Sequence, residues 1–460
     1  MPVLSTIGAM TARGFGWVLR AAGTAGSGLY AWGINSSGQL GQGNTTSRSS
    51  PVQVGSSTAW TDASISSHVL AVQSSGSLWA WGVGGGGRLG DGTTVSKSSP
   101  VQIGSLTNWS TAQAKRFSTL ALKTDGTLWA WGEGTNGQLG DGTITNKSSP
   151  VQIGTLTSWT KIGYGSVALY NGHAIRSGNT LWAWGFGGQS YTDAYGTILN
   201  TPYPTVSQTG YSSPVQVSSA ISWSAVSTGS EHALALTTGG ALYAWGTNTQ
   251  YQCGKTDLNN PSYYEVVPIT SECGGGGTAT FGAKYSSFVD LSNYPYVFNP
   301  STSECETGVN GTSVAVFYPS ANTLPWGFSS PVQVGTDTNW AQVAAGTFHS
   351  GAIKTTGSLW MWGYNFNGQC GTGDSGNNKS EPTQVGTLTS WAYVKAGLFH
   401  TIAVRTNGTL WAWGDNSNGS LGQGNTTTRS SPVQIGSATN WLQAIDALDA
   451  GVYSSIAIRS

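Results

Sequence analysis

The chain has 460 residues, and its composition excludes several classes of protein. Charged residues make up 8% and the formal net charge is zero, which argues against a nucleic-acid or anionic-membrane partner held by bulk electrostatics. No stretch approaches the roughly 18 consecutive apolar residues of a membrane span, so we expect no membrane insertion. The 21 Trp, 18 Tyr and 11 Phe supply more buriable area than a disordered chain carries.

The first 28 residues precede any repeat. They lack a basic start followed by a long apolar run, so we expect no secretory signal. The phrase Ile-Gly-Ala-Met-Thr-Ala-Arg-Gly-Phe-Gly at 7–16 resembles a short leader found ahead of variable domains in structural proteins of marine tailed phages. We predict that residues 1–28 are a leader or attachment segment, with homo-oligomerisation through it as one consequence.

A five-residue motif organises the rest of the chain. Leu-Trp-Ala-Trp-Gly at 78–82 returns unchanged at 128–132, 181–185 and 410–414, and with one substitution at 29–33, 242–246 and 359–363. Large aromatic residues alternate with smaller apolar ones at a period of two. This pattern predicts a strand rather than a helix.

Each repeat contains four strand-like pieces. The first follows a lone Trp such as Trp391, and the others are an apolar run (401–404), the aromatic motif (410–414) and a Pro-Val-Gln piece (432–435). Asn407-Gly408 between the second and third pieces predicts a hairpin. The first three motifs lie 49 and 50 residues apart. A fixed period of this size with four strands indicates propeller blades.

The number of repeats and the two chain ends suggest how the blades assemble. We count eight units, and the sixth is degenerate, with pieces at 283–288, 296–298 and 330–333. The C-terminal pieces at 443–458 complement those at 29–55. We therefore predict an all-β fold, a closed β-propeller spanning 29–460. It has eight four-stranded blades, with seven as the alternative, and one blade shared by both ends, which removes free edges.

The repeat resembles a known family. His-Thr, Asp-Gly, Leu-Trp-Ala-Trp-Gly, Gly-Gln-Leu-Gly and Ser-Pro-Val-Gln-Val in this order are similar to the RCC1 (regulator of chromosome condensation) repeat, over roughly residues 15–460. The resemblance implies a β-propeller, in the family usually seven-bladed. Family members include a nucleotide exchange factor, ubiquitin-ligase modules and an inhibitor of β-lactamases, so the fold alone fixes no function.

The five histidines are candidates for acid–base or metal chemistry. His68, His232, His349 and His400 each lie ten residues before the Leu of a motif, and His173 lies eight before. Because the repeat distributes equivalent positions around the ring, we interpret these side chains as structural, each making a hydrogen bond at the start of a strand.

Other candidates for chemistry are weaker still. Asp91 and Asp141 give one carboxylate per loop, a poor ligand set for calcium, and no paired zinc spacing occurs. We expect no metal and no cofactor. Cys253 and Cys370 replace the Leu of the Gly-Gln-Leu-Gly segment, so we interpret them as core residues.

Two long loops break the repeat. Units one, two, three and eight have 16 residues between the aromatic motif and Ser-Pro-Val-Gln, but the loops at 186–212 and 300–329 are longer. Both use the same loop position, so they should rise from one rim, on either side of unit five. The candidate binding residues are Tyr191, Tyr195, Tyr203 and Tyr211 in the first loop and Phe317, Tyr318 and Trp326 in the second. Tyr with Ser and Gly is typical of antibody-like contact surfaces; the alternative is that these rings pack their own loops.

Three functions fit the sequence. The leading hypothesis is a non-enzymatic virion surface or tail-fibre protein, which contacts other virion proteins or a host-cell protein or glycan in host recognition. Its location would be the virion, extracellular after lysis. The alternative is a cellular RCC1-like interaction scaffold or exchange-factor-like regulator in the cytoplasm. The third is a carbohydrate-active enzyme, which paired carboxylates in the pore would favour.

Cys273 and Cys305 bracket the degenerate unit, and we predict that they form the one disulfide, leaving Cys253 and Cys370 free. The disulfide would close a loop of about 33 residues, which stabilises the folded protein by roughly 3 to 4 kcal/mol in the chain-entropy model. Mass spectrometry of the unreduced protein should detect the linked peptides. Four free thiols in that experiment would refute the pairing.

Overall fold

The computed structural model describes residues 26–165, 167–185, 211–255 and 327–460, and the backbone of short strands at 190–192, 198–200 and between 264 and 317. Within this part of the chain, seven antiparallel sheets of four strands form the blades of a β-propeller. The prediction of an all-β propeller is confirmed, but eight blades is wrong. Among the described residues, no helix has the length and hydropathy needed to cross a membrane.

The strands of a blade are numbered from the propeller axis outward. Blade 1 comprises Leu448–Ala450, Ser454–Arg459, Gly28–Gly33 and Arg48–Gln53; blade 2, Trp60–Ile65, His68–Gln73, Leu78–Gly82 and Lys97–Gln102; blade 3, Trp109–Ala114, Ser118–Lys123, Leu128–Gly132 and Lys147–Gln152; blade 4, Trp159–Ile162, Asn171–Arg176, Thr180–Gly185 and Tyr211–Gln216. Blade 5 comprises Trp223–Thr228, His232–Thr237, Leu242–Thr247 and Gly327–Gln333; blade 6, Trp340–Ala345, His349–Lys354, Leu359–Gly363 and Lys379–Gln384; blade 7, Trp391–Ala396, His400–Arg405, Leu410–Gly414 and Arg429–Gln434.

Blade 1 is built from both ends of the described chain. Its third strand pairs with its second from Gly28 opposite Arg459 to Gly33 opposite Ser454. The prediction of a shared blade is therefore confirmed. Each blade contacts the next through its inner strands, and blade 1 contacts both blade 2 and blade 7.

The predicted sixth unit is not a blade. Gly327–Gln333, which contains its Ser-Pro-Val-Gln piece, pairs with Leu242–Thr247 and is the fourth strand of blade 5. The other pieces, at 284–285 and 296–299, belong to a separate sheet in the order Lys284–Tyr285, Tyr264–Pro268, Ser313–Phe317, Tyr296–Asn299 and Glu304–Thr307. That sheet includes a parallel pair, whereas the blades are antiparallel. Residues 248–326 are thus one long connection between the third and fourth strands of blade 5. Because these two strands pair with each other, the number of blades is seven and not the predicted eight.

Tryptophans pack within each blade and, in six of the seven blades, bond to the previous one. In blade 2, Trp60 makes an edge contact with Trp79 and a tilted contact with Trp81, at ring-centroid distances of 6.3 and 6.2 Å. The Trp81 indole Nε1 then donates to the Gln39 carbonyl of blade 1 at 3.0 Å. Burying an indole of this size stabilises the fold by a few kcal/mol, at about 25 cal/mol per Å². The aromatic motif therefore acts within and between blades.

The glycine of the Gly-Gln-Leu-Gly loop is required by the indole of the next blade. Gly90 has φ of +80°, and a Cβ there would lie 2.6 Å from Trp131 Nε1. A side chain would be both strained and in collision. Gly371 faces Trp413 in the same way, at 2.6 Å.

Deleting residues 441–460 removes the two inner strands of blade 1 and Trp441, which packs edge-on against Trp32 at 6.4 Å. Because Gly28–Gly33 then loses its inner partner, we expect a fall in melting temperature of more than about 10 °C and a broader transition. Differential scanning calorimetry measures both. Removing the exposed Ser460 alone is the control; equal melting of the truncated and full-length chains would show that the shared blade is dispensable.

Candidate binding face

One face of the propeller carries both long connections. We call it the insertion face: it is formed by the links from first to second strand and from third to fourth strand of every blade. Residues 186–210 link the third and fourth strands of blade 4, and 248–326 link those of blade 5. The two long connections therefore leave from the same rim, as predicted. The expectation that the loops flank blade 5 is wrong, because the second loop belongs to blade 5 and the two blades are adjacent.

The predicted binding residues fall mostly outside the described part. Tyr211 begins the fourth strand of blade 4, is partly exposed and pairs with Gly185. The backbone of Tyr191 lies in the strand Ser190–Thr192, and that of Phe317 in Ser313–Phe317. The others, Tyr195, Tyr203, Tyr318 and Trp326, lie outside the described residues. Their role in binding stays a prediction.

Two of the four cysteines lie in the described part of the chain with their side chains, and two do not. Cys253 and Cys370 are free and fully buried, so their interpretation as core residues is confirmed. Burial raises the pKa of both thiols well above the usual value, which makes them unreactive at neutral pH. Cys273 lies outside the described residues, as does the side chain of Cys305, and the disulfide stays a prediction.

A ring of aromatic side chains on the insertion face was not anticipated from the sequence. Each link from first to second strand ends on one residue that precedes the start of the second strand: Tyr453, Ser67, Phe117, Tyr170, Glu231, Phe348 and Phe399 in blades 1 to 7. All seven residues are partly exposed. Phe117 stacks on Tyr170 and Phe348 stacks on Phe399, at 5.6 and 5.9 Å between centroids. We call the five aromatic members the aromatic crown.

Blades 6 and 7 extend the crown outward. Tyr364 follows the third strand of blade 6 and contacts Phe348 and Phe399 at 6.0 and 6.1 Å. Phe366 stacks on Tyr364 at 6.2 Å and is 63% exposed. An exposed Phe at the edge of a continuous aromatic cluster is typical of an interaction surface. The Phe-His dipeptides at 348–349 and 399–400 were the sequence signal for this cluster.

The propeller axis carries charged groups that serve the scaffold. Asp449 Oδ2 of blade 1 accepts hydrogen bonds from Ser64 Oγ at 2.7 Å and Ile65 N at 3.1 Å in blade 2. Asp62 Oδ2 accepts from Ala112 N of blade 3 at 2.8 Å. Paired pore carboxylates were the feature expected of a carbohydrate-active enzyme, but these two carboxylates join the inner strands of neighbouring blades.

A buried lysine continues the same pattern. Lys115 Nζ of blade 3 donates to the Gly163 carbonyl of blade 4 at 2.8 Å. Desolvation lowers the pKa of Lys115 to about 7, against the opposing effect of Asp449. In the part of the chain that the structure describes, no group of three or more His, Cys, Asp and Glu residues is placed to hold a metal ion.

The histidines are structural, as interpreted from their spacing. His68 Nε2 lies 2.8 Å from Thr119 Oγ1 of the next blade, and that hydroxyl donates to the Arg88 carbonyl. The hydroxyl therefore accepts from the imidazole N–H. His232, His349 and His400 make the same contact to a hydroxyl of the following blade, whereas His173 uses Nδ1 toward Thr228 at 3.2 Å.

One open cavity of about 670 Å³ lies between the outer strands of blades 2 and 3. Its walls include Leu106, Trp109 and Trp129 and the ion pair between Asp91 and Lys97, 3.6 Å apart. These residues belong to the repeated motif. The cavity is therefore a feature of the junction between these two blades.

The fold and its repeated contacts define a seven-bladed propeller whose insertion face carries two long connections. Family models described as "Regulator of chromosome condensation (RCC1) repeat" match residues 27–72, 75–122, 125–167, 356–404 and 407–458, and in a second form 223–252, 340–369 and 391–420. These matches cover more than half of the chain. The chain belongs to the RCC1 repeat family.

Curated relatives are similar over part of the chain. "Protein pim1" of Schizosaccharomyces pombe is 26% identical over 43% of this chain and 38% of its own length. "RCC1 domain-containing protein RUG3, mitochondrial" of Arabidopsis thaliana is 29% identical over 40% of this chain and 46% of its own. The matched region thus spans less than half of these relatives. They are cellular proteins, which favours the alternative hypothesis of an interaction scaffold and gives no support to a virion role.

Solved structures share the fold at low identity. Human WBSCR16 superposes with a TM-score of 0.66 and 15% identity, covering 94% of this chain and 99% of that chain. Prp20p from Saccharomyces cerevisiae gives a TM-score of 0.63 and 17% identity, covering 97% and 92%. At this identity the likeness establishes the architecture alone.

Stability should fall as the solution is acidified, because the buried histidines are neutral in the folded protein. Burial lowers the pKa of His232 and His349 from 6.5 to about 3 and that of His400 to about 4. Unfolded histidines bind protons below 6.5, so this stability is complete above that pH and is lost as the pH falls toward 3. Each histidine accounts for up to about 1.4 kcal/mol per pH unit.

The measurement is the free energy of unfolding in urea at several pH values between about 7 and 5, where most carboxylates stay ionised. His349→Gln keeps a donor near Thr401 and removes one titrating group, so the slope against pH should decrease by roughly a fifth. A wild-type stability that is constant over this range would contradict the assignment of neutral buried imidazoles.

Proposed function

We propose that this chain is a non-enzymatic interaction scaffold whose insertion face binds a protein partner. One observation carries the proposal: the blades repeat closely except where two long connections, 186–210 and 248–326, leave the same face in adjacent blades. The aromatic crown and the exposed Phe366 lie on that face. Long connections in a compact fold are usually functional, and loops on a rigid scaffold are common binding elements.

The use of the chemically active residues favours binding over catalysis. His68 and its counterparts bond to hydroxyls of the next blade, and Asp62 and Asp449 bond to backbone N–H groups across blade junctions. A catalytic acid, base or nucleophile must be free to exchange protons with substrate. These groups have structural partners, so the scaffold uses them for cohesion.

The neighbours in fold space favour a protein over a glycan as the partner. Prp20p is described by its "Binding Properties to Gsp1p and Histones", and a second structure has Kap60 bound to yeast RCC1 (Prp20). Aromatic residues are enriched at the centre of protein–protein interfaces. We place the partner over blades 4 to 7, between the two long connections and the aromatic cluster of Tyr364 and Phe366.

Shortening both connections should abolish partner binding while the propeller stays folded. Residues 186–210 are replaced by the blade 3 connection 133–146, and 256–326 by a short Gly-Ser link. The second replacement retains Gln252, whose carbonyl accepts from Trp362 Nε1 at 3.0 Å. The melting temperature should change by less than about 5 °C, because the blade strands are retained.

Binding is measured by quantitative mass spectrometry of proteins captured from a lysate of the source cells. Proteins captured by the full chain and lost by the shortened variant are the expected result. The control replaces the blade 1 connection 34–47 with the same blade 3 segment and should retain capture. Capture that is identical for the full chain and the doubly shortened variant would place the working surface elsewhere.

A further inference from the structure

Blades 2 and 3 contain an internal example of how the insertion face holds a guanidinium. Arg88, in the third-to-fourth connection of blade 2, places Nη2 3.0 Å from Glu133 Oε1 of blade 3. Its Cζ lies 5.4 Å from the centre of the Phe117 ring. Glu133 N donates to the Phe117 carbonyl at 3.0 Å, which fixes the carboxylate beside the ring. The carboxylate and the aromatic face hold the arginine together with backbone carbonyls, since Nε also donates to the Gly85 carbonyl at 2.7 Å and Nη1 to the Arg116 carbonyl at 2.9 Å.

Blade 7 repeats this receptor without an arginine from the preceding blade. Asp415 stands at the position of Glu133, and its N donates to the Phe399 carbonyl at 2.9 Å. Phe399 stands at the position of Phe117. The counterpart of Arg88 is Gln369, whose Oε1 turns back to accept from Asn367 N at 3.0 Å.

The Asp415 carboxylate has no lysine or arginine partner among the described residues, and the nearby His400 is neutral because burial lowers its pKa to about 4, against the opposing effect of Asp415. Its oxygens accept from Ser417 N at 3.3 Å and Ser417 Oγ at 2.9 Å, and no lysine or arginine in the described part forms an ion pair with it. By contrast, Asp141 in blade 3 pairs with Lys147 at 3.5 Å. Asp415 therefore offers an uncompensated negative charge beside the aromatic crown.

The aromatic surface beside Asp415 is also larger than the one that holds Arg88. Where blade 2 has Ser67, Val83 and Gly85, blade 6 has Phe348, Tyr364 and Phe366. These rings contact Phe399 and one another, and Phe366 is 63% exposed. A planar cation can stack on such a surface from solvent.

We propose that Asp415 and the aromatic cluster of Phe348, Tyr364, Phe366 and Phe399 form a receptor for an arginine side chain of a basic segment in the protein partner. The inference rests on the proposed function and names the partner's chemistry at that face. Arginine fits better than lysine, because its guanidinium is planar, stacks on rings and donates two parallel hydrogen bonds to a carboxylate. An anionic ligand is disfavoured by the uncompensated charge of Asp415.

The test uses the full chain and two capped pentapeptides, Gly-Ser-Arg-Ser-Gly and the same sequence with citrulline, the neutral isostere of arginine. Affinities are measured by ligand-observed NMR titration. The arginine peptide should bind at least about five-fold more tightly than the citrulline peptide. Asp415→Asn and Phe366→Ala should each remove most of this difference. Both side chains are at least partly exposed, and melting temperatures verify that the variants fold.

The matched control is Asp141→Asn, which removes a carboxylate that is already paired from the same kind of connection. It should leave the preference for arginine unchanged. Equal affinity for the two peptides, or a preference that survives Asp415→Asn, would overturn the receptor. Binding of neutral oligosaccharides that is lost in Phe366→Ala and retained in Asp415→Asn would also overturn it, in favour of a glycan surface.

Failure of this inference can be distinguished from failure of the proposed function. If the shortened variant loses its captured partner but the full chain does not distinguish arginine from citrulline, only the receptor is wrong. If capture is indifferent to the two long connections while the arginine preference holds, the proposed role of the insertions is wrong.

Discussion

The hydrogen bond from an indole N–H to the backbone of the preceding blade is the contact on which the propeller depends. The second Trp of the aromatic motif is buried in each blade, and in six blades its Nε1 donates to a carbonyl of the previous blade at 2.8 to 3.0 Å. A buried donor without a partner is costly, so this bond favours the observed contact between neighbouring blades. The second glycine of the same loop, such as Gly90, leaves room for the indole ring.

Blade 5 shows what happens when that loop is changed. In blade 4 the segment 186–210 stands where the other blades have Gly-Gln-Leu-Gly or a variant of it. Trp245 of blade 5 is the exception among the seven indoles. Within the described residues its Nε1 has no hydrogen-bond partner, and its ring lies against His173 at 5.8 Å. The contacts of Trp223 and Tyr243 retain the local packing of the blade. Among the described residues, the junction between blades 4 and 5 therefore lacks the inter-blade indole bond that the other six junctions have.

A second set of contacts between blades lies near the axis, where buried polar and charged side chains form hydrogen bonds to the neighbouring blade. Ser64, Asp449 and Lys115 each bond across a blade junction. Ser227 Oγ accepts a hydrogen bond from Ala345 N at 2.9 Å. The Gln342 side chain donates to the Val394 carbonyl and accepts from Val394 N. Different side chains meet the same need at these junctions, because most buried polar groups in proteins have a hydrogen-bond partner. Function is then left to the faces of the ring, where symmetry does not constrain the residue type.

The sequence by itself determined the blade: a period-two aromatic motif, an Asp-Gly or Asn-Gly hairpin and a Pro-containing outer piece are local signals, and strand formation follows from them. It also determined the shared blade 1, since the pieces missing at one end are present at the other. The structural role of the histidines and the burial of Cys253 and Cys370 followed from their register in the repeat.

Only the tertiary structure decided the blade count and the shape of the candidate site. The pairing of Gly327–Gln333 with Leu242–Thr247 joins segments on either side of a long connection, and no local pattern states which strands pair across such a distance. The aromatic crown was hidden for a related reason. Phe117, Phe348 and Phe399 are isolated letters about 50 or more residues apart in sequence. Phe348 and Phe399 become neighbours, as do Phe117 and Tyr170, because the ring brings equivalent positions of successive blades together.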